Sequence, residues 1–143
     1  MNDNRRQLFE AMTQFDKTLS RARCNALQRF NLTVAQAHVL LLCQETPRIQ
    51  QLADMISATS SAATQIVESV EEKGLIIRRR AESDKRVVMV YLTEAGRRLV
   101  KQIENERRAF AYDLLNELSD QDVEVALLMY RKITTHIAKR FSE

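Results

Sequence analysis

A chain of 143 residues with 45% apolar and 29% charged side chains reads as one compact folded unit, and no apolar run approaches the roughly 18 residues of a membrane span. Two glycines and one proline are too few for the turns of a β-sandwich or barrel, and Gly74 and Gly96 alone cannot form a glycine-rich phosphate loop, so a mainly α fold is expected. The net charge of +3 is localised: residues 1–46 carry +2, 47–92 carry +1 and 93–143 are neutral, while 75–86 alone carries +3, a positive projection that suits a polyanion.

The chain opens on Met1-Asn2-Asp3-Asn4-Arg5-Arg6 with no apolar core behind it, so no secretory signal is expected. Leu8, Met12, Phe15, Leu19, Ala22 and Ala26 then recur at alternating spacings of four and three, one stripe of a helix running to about Phe30. A small core cannot cover so long a stripe, which predicts that part of it faces a second chain. Thr33 and Gln36 form a capping box, and Val34 to Cys43 is apolar almost all round, predicting a central buried helix that ends near Pro47.

Ile49, Leu52, Ala53 and Ile56 predict a short amphipathic helix, and Ser57-Ala58-Thr59 a turn. Thr59 or Ser60 caps the next helix, whose inner face is Ala63, Ile66, Val67 and Val70 and whose end is set by Gly74 in a left-handed conformation. Two short helices joined by a tight turn form a helix-turn-helix. Leu75-Ile76-Ile77 and Val87–Leu92 are the strand-like runs, and the charged segment Arg78–Arg86 between them reads as the tip of a β-hairpin. A helix-turn-helix followed by a basic hairpin is a winged helix, whose second helix enters the major groove of DNA while the hairpin reaches the backbone or minor groove. Thr93 caps a long helix carrying Leu99, Ile103, Phe110, Leu114 and Leu118, and Ser119 with Asp122 starts a last one carrying Val123, Leu127, Tyr130, Ile137 and Phe141.

The segments Leu52-Ala53-Asp54, Glu71-Glu72-Lys73-Gly74-Leu75, Asp84-Lys85-Arg86 and Leu92-Thr93-Glu94-Ala95-Gly96-Arg97 resemble the MarR family of bacterial transcriptional regulators, and the helix order resembles it over the whole chain. The resemblance implies a homodimer in which residues 1–32 and 94–143 form the helical dimerisation region and 33–93 the winged helix-turn-helix. It implies sequence-specific binding to a palindromic operator in double-stranded DNA, as a repressor released by a small ligand, with thiol oxidation as the alternative trigger. A winged-helix interaction module without tight DNA binding is a further alternative. Thr59, Ser60, Ser61, Ala62, Thr64 and Gln65 match the front of the recognition helix, and Arg78 and Arg79 match the basic pair at the base of the wing. Asp84 and Arg86 match the Asp-x-Arg of the wing, where the carboxylate is expected to hold the arginine side chain for the minor groove. Lys85 between them keeps the charge of the usual arginine without its planar fork. The family often carries Arg at the positions of Ser60 and Gln65, a departure that removes strong guanine readout and shifts affinity toward the wing.

The resemblance also implies a ligand cleft, expected around Arg23, Leu27, His38 and Leu42, mainly apolar with a few polar anchors and suited to a small aromatic or amphipathic anion. Cys24 and Cys43 read as small buried hydrophobes, with redox sensing as the alternative. His38 and His136 stand alone, and no metal cluster, nucleophile–base pair or carboxylate pair is recognisable, so no enzyme activity, metal or cofactor is expected. Two cysteines cannot make a disulfide framework, which fits a reducing compartment, so a cytoplasmic location is expected.

Overall fold

The computed structural model describes residues 3–141. Met1 and Asn2 of the opening segment lie outside the described residues, as does the side chain of Phe141 at the end of the expected last stripe. Six helices and one hairpin follow in the order α1 (Asp3–Gln28), α2 (Val34–Leu42), α3 (Ile49–Met55), α4 (Ser60–Glu72), β1 (Ile76–Arg80), β2 (Val88–Leu92), α5 (Glu94–Asn116) and α6 (Asp120–Phe141). This is the expected mainly α, winged helix-turn-helix class. Contacts group the chain into two units, Met1–Val100 and Lys101–Glu143.

In the first unit the capping chemistry appears as expected. The Gln36 backbone N–H donates to the Thr33 hydroxyl at 3.1 Å and the Thr33 N–H donates to the Gln36 side-chain oxygen at 3.0 Å, so both orphan donors at the start of α2 are satisfied. Ala37, Val39 and Leu40 of α2 are buried, but Val34 is 46% exposed, so the helix presents one wet corner. It stops at Leu42, earlier than the apolar run suggests. A 3-10 turn, Cys43–Glu45, follows, and Thr46 turns left-handed at φ 47° before the buried Pro47. α1 ends at Gln28 rather than near Phe30, and Asn31 adopts φ 53°. The Lys73 ammonium donates to the Asn31 carbonyl at 2.7 Å and ties that turn to the end of α4.

The core gathers Leu40, Leu52, Val67, Val70, Ile76 and Val90, all sealed from solvent. α4 packs on α2, on α3 and on β1, which makes it the central element of this unit. The hairpin pairs antiparallel from Ile76–Leu92 to Arg80–Val88. Here the structure corrects the sequence reading: Arg78, Arg79 and Arg80 belong to β1, and the tip is only 81–87. Backbone pairing with the β-branched Val88 and Val90 overrides the low strand preference of an arginine run. The Pro47 carbonyl accepts the Val90 N–H at 3.0 Å, and Arg48 pairs with Met89, so the segment before α3 adds a short third edge to the hairpin.

Cys43 is buried as expected, and burial pushes its thiol up to about 12, so it stays protonated at neutral pH. Cys24 departs from expectation and is exposed. It lies two residues from both Ala22 and Ala26, and at about 100° per residue that places it on the opposite side of α1 from the apolar stripe.

In the second unit, α6 opens on a reciprocal cap: the Ser119 hydroxyl donates to the Asp122 carboxylate at 2.6 Å and accepts the Asp122 N–H at 3.2 Å. The expected apolar positions Phe110, Leu114, Leu118, Val123, Leu127, Tyr130 and Ile137 are all exposed in the single chain.

The junction between β2 and α5 generates a stability prediction. A Cβ added at Gly96 would overlap the carbonyl oxygen of Leu75 and meet Leu92 Cδ2 at 3.2 Å. Gly96→Ala should therefore cost about 1–3 kcal/mol in urea unfolding, although alanine is the better helix former. A midpoint equal to or above the parent's would contradict this packing.

Candidate nucleic-acid interface

α4 and the hairpin carry most of the polar side chains singled out in the sequence. Thr59 caps α4, its hydroxyl accepting the Ala62 N–H at 3.2 Å, and the Thr64 hydroxyl donates to the Ser60 carbonyl at 2.8 Å. Both threonines thus spend their hydroxyls on the helix itself. The side chains of Ser60, Ser61 and Gln65 are exposed and have no hydrogen-bond partner among the described residues. Ala63, Val67 and Val70 behind them are buried, so the unpartnered side chains stand on a rigid helix.

Arg78 occupies a different place from the one its position in a basic run suggests. Its side-chain Nε and Nη2 both lie 2.8 Å from Glu71 Oε2, its backbone N–H donates to Glu71 Oε1 at 2.9 Å, and Nη1 approaches Glu68 at 3.4 Å. Glu71 clamps β1 to α4 through this three-point contact. Burial pushes the Glu71 carboxyl up, but the Arg78 backbone N–H, side-chain hydrogen bond and charge outweigh it and hold the group below its ordinary value. The side-chain hydrogen bond that Arg78 donates to Glu71 leads in raising Arg78 further. Arg78 is therefore already neutralised by the chain's own carboxylates.

Arg79 and Arg80 are exposed and unpaired among the described residues, as are Lys85 and Arg86 at the tip. Asp84 acts on the backbone of the tip: Oδ1 accepts the Arg86 N–H at 2.9 Å, and the Val87 N–H donates to the Asp84 carbonyl at 3.0 Å. The carboxylate shapes the turn that presents Arg86 and does not grip its guanidinium. An aspartate accepting from a backbone N–H two residues on is a local bond available to any chain, and it wins over an ion pair between flexible exposed side chains.

A concavity of about 720 Å³ lies against the outer face of the hairpin, lined by Arg48, Arg79, Arg80, Met89 and Tyr91 among others. Sequence reading missed Arg48, because the bridge that brings it to Met89 is a tertiary pairing with no local signal. It also missed the role of Glu71, although a carboxylate just before the glycine and a basic run just after it are visible in the sequence.

Of the expected cleft residues, Leu27 and Leu42 are half-buried, and Arg23 and His38 are exposed. No group of three or more metal-ligating side chains occurs among the described residues, and no helix among them is long and apolar enough to cross a membrane.

The clamp makes a pH-dependent prediction. A carboxyl held low contributes stability that is present above its ordinary value of 4.5 and is lost as pH falls through the folded-state value. Glu71→Gln should lower unfolding stability by about 1 kcal/mol at pH 7, and that gap should close on acidification below about 4.5. An undiminished gap at pH 3 would show that the loss comes from something other than the ion pair.

The family model described as "MarR family" matches residues 32–88. A "HTH-type transcriptional regulator MhqR" of Bacillus subtilis (strain 168) is 31% identical over 93 residues, covering 65% of this chain and 63% of that protein. The "Transcriptional repressor MprA" of Escherichia coli (strain K12) is 26% identical over 112 residues, covering 77% of this chain and 64% of that protein. The chain thus spans just under two thirds of the length of both curated relatives. Among solved structures, Streptococcus pneumoniae FabT in complex with DNA superposes with a TM-score of 0.84 at 19% identity, over 94% of this chain and 97% of that one. Over residues 32–88 the chain thus matches the MarR family model, and its winged-helix fold and short motifs agree with that match.

Proposed function

We propose that this protein is a homodimeric, sequence-specific double-stranded DNA-binding transcriptional regulator of the cytoplasm, not an enzyme, and that it acts as a repressor released by a small ligand. The observation that carries the reading is the rigid α4, whose exposed Ser60, Ser61 and Gln65 stand beside a hairpin bearing unpaired Arg79, Arg80, Lys85 and Arg86. Serine and glutamine reach base edges and phosphates in the major groove, and arginine on a hairpin reaches the backbone or minor groove. Thr59 and Thr64 serve mainly to hold the front of α4, and Arg78 to hold the wing at its angle, while Asp84 presets the tip. The DNA complex of FabT and the repressor name of MprA support the same reading.

Residues 33–93 form the DNA-binding part in this reading, and 1–32 with 94–143 the dimerisation part. The support is the apolar surface left open in the single chain: Phe9 is 66% exposed on α1, Tyr112 61% on α5 and Leu128 56% on α6. Large exposed apolar side chains on each of these helices mark an interaction surface, and a second copy covers them across a two-fold axis. The palindromic operator mirrors that axis. Leu27 and Leu42, with Arg23 and His38 as polar anchors, are the proposed lining for a small aromatic or amphipathic anion. Such a ligand needs about 1.4 kcal/mol of preference for the DNA-incompetent arrangement to lower operator affinity tenfold. A thiol trigger is less favoured, because Cys43 is held protonated by burial, which leaves only the exposed Cys24 to carry it.

Two measurements test this. Light scattering at micromolar concentration should return a dimer, and a stable monomer would remove the assembly. Fluorescence anisotropy with a duplex selected by the protein from a random pool should show nanomolar to tens-of-nanomolar binding that weakens steeply with salt. On that duplex Asp84→Ala should bind about 3- to 30-fold more weakly, although it removes a negative charge, because the tip loses the bond that shapes it. Tighter binding by Asp84→Ala would refute the shaping role.

A further inference from the structure

The concavity on the outer face of the hairpin brings together three guanidinium groups, Arg48, Arg79 and Arg80, around Met89 and Tyr91. None of the three has an ion-pair partner among the described residues, whereas Arg78 beside them is neutralised by Glu71. Arg48 comes from outside the hairpin, where its pairing with Met89 and the Val90 N–H bond to the Pro47 carbonyl hold its backbone against β2. Its own N–H donates to the Gln51 side-chain oxygen at 2.9 Å, so the backbone beneath the side chain is fixed from both directions. Glu82 and Asp84 complete the lining toward the tip. Three guanidinium groups against two carboxylates leave one excess positive charge, which matches a single phosphodiester and disfavours a polyphosphate or a free dianion.

We infer that Arg48 is a phosphate-anchoring residue of the DNA interface, holding one backbone phosphate together with Arg79 at the edge of the wing. This rests on the proposed DNA-binding function and extends it from α4 and the hairpin to the segment before α3. A phosphate contact carries no sequence information, so its signature differs from that of a base-reading residue. The Arg48 backbone bonds do not involve its side chain, so Arg48→Gln leaves the capping and the bridge intact.

The experiment measures anisotropy of the full-length protein on the duplex it selects from a random pool and on an unselected duplex of equal length, each over a range of salt. Arg48→Gln should weaken both duplexes about equally, roughly five- to tenfold at about 0.1 M salt, and lower the slope of log affinity against log salt by about one. Arg48→Lys should retain the slope, and the thermal midpoint of both variants should match the parent's. Gln65→Ala serves as the contrast, expected to weaken the selected duplex more than the unselected one. Unchanged affinity and slope for Arg48→Gln would overturn the inference while leaving the DNA-binding reading intact. A loss confined to the selected duplex would overturn it in favour of base readout. A loss that accompanies a fallen thermal midpoint, not restored by lysine, would overturn it in favour of a structural role. A parent protein that selects no duplex and binds neither would remove the DNA-binding reading itself, and this inference with it.

Discussion

Two carbonyl groups just past the end of α4 hold the winged helix together. The Gly74 carbonyl accepts the Thr93 hydroxyl at 2.7 Å, and the Leu75 carbonyl accepts the Thr93 N–H at 3.0 Å. The same Thr93 hydroxyl accepts the Gly96 N–H at 3.0 Å, capping α5. Gly74 reaches this position through φ 71°, which a residue with a side chain adopts only at a cost. One turn of backbone thereby orients α4, the hairpin and the start of α5 together, and the absent Cβ of Gly96 is what lets the helix approach the Leu75 carbonyl closely. Together with the Glu71–Arg78 clamp, that convergence fixes the angle of the basic hairpin to α4.

The electrostatics of the hairpin follow from this geometry. Once Glu71 is held at the end of α4, it is within reach of the first arginine of β1 and takes both its backbone N–H and its guanidinium. A charge that looks available in the sequence is therefore used internally, and it stiffens the joint that sets the wing's direction. Arg79 and Arg80 continue the same strand without such a partner and remain open. Local charge density thus overstates the open positive charge of the hairpin by one residue at Arg78 and understates it at Arg48, which comes from another part of the chain.

The helices outside the winged helix follow a different logic. α1 buries none of its described residues, and α6 exposes Val125, Leu127, Leu128 and Tyr130 despite their size. A helix with so much apolar surface and so little internal cover gets little of its stability from its own chain, since most helix stability in proteins comes from packing an apolar face. The proposed two-fold partner provides the cover.

The sequence by itself determined the element types and their order, because those depend on local physics. The four-three spacing in α1, the Thr33–Gln36 and Ser119–Asp122 caps and the left-handed Gly74 each act over fewer than five residues, and the β-branched runs around a basic segment lie within one contiguous stretch, 75–92. The family motifs around Asp84, Gly74 and Gly96 were legible for the same reason, being short and contiguous. Tertiary structure alone decided what those residues do. Strand pairing drew Arg78–Arg80 out of the tip and into β1, and the nearness of Glu71 turned Arg78 into a buttress. A backbone bond available two residues away set Asp84 to shaping the turn instead of gripping Arg86. The bridge from Arg48 to Met89 joins positions 41 residues apart, and helix phase put Cys24 in solvent while Cys43 went into the core. Each of these outcomes depends on which groups meet in space, and a linear pattern carries only what lies within a helical turn or a tight loop of itself.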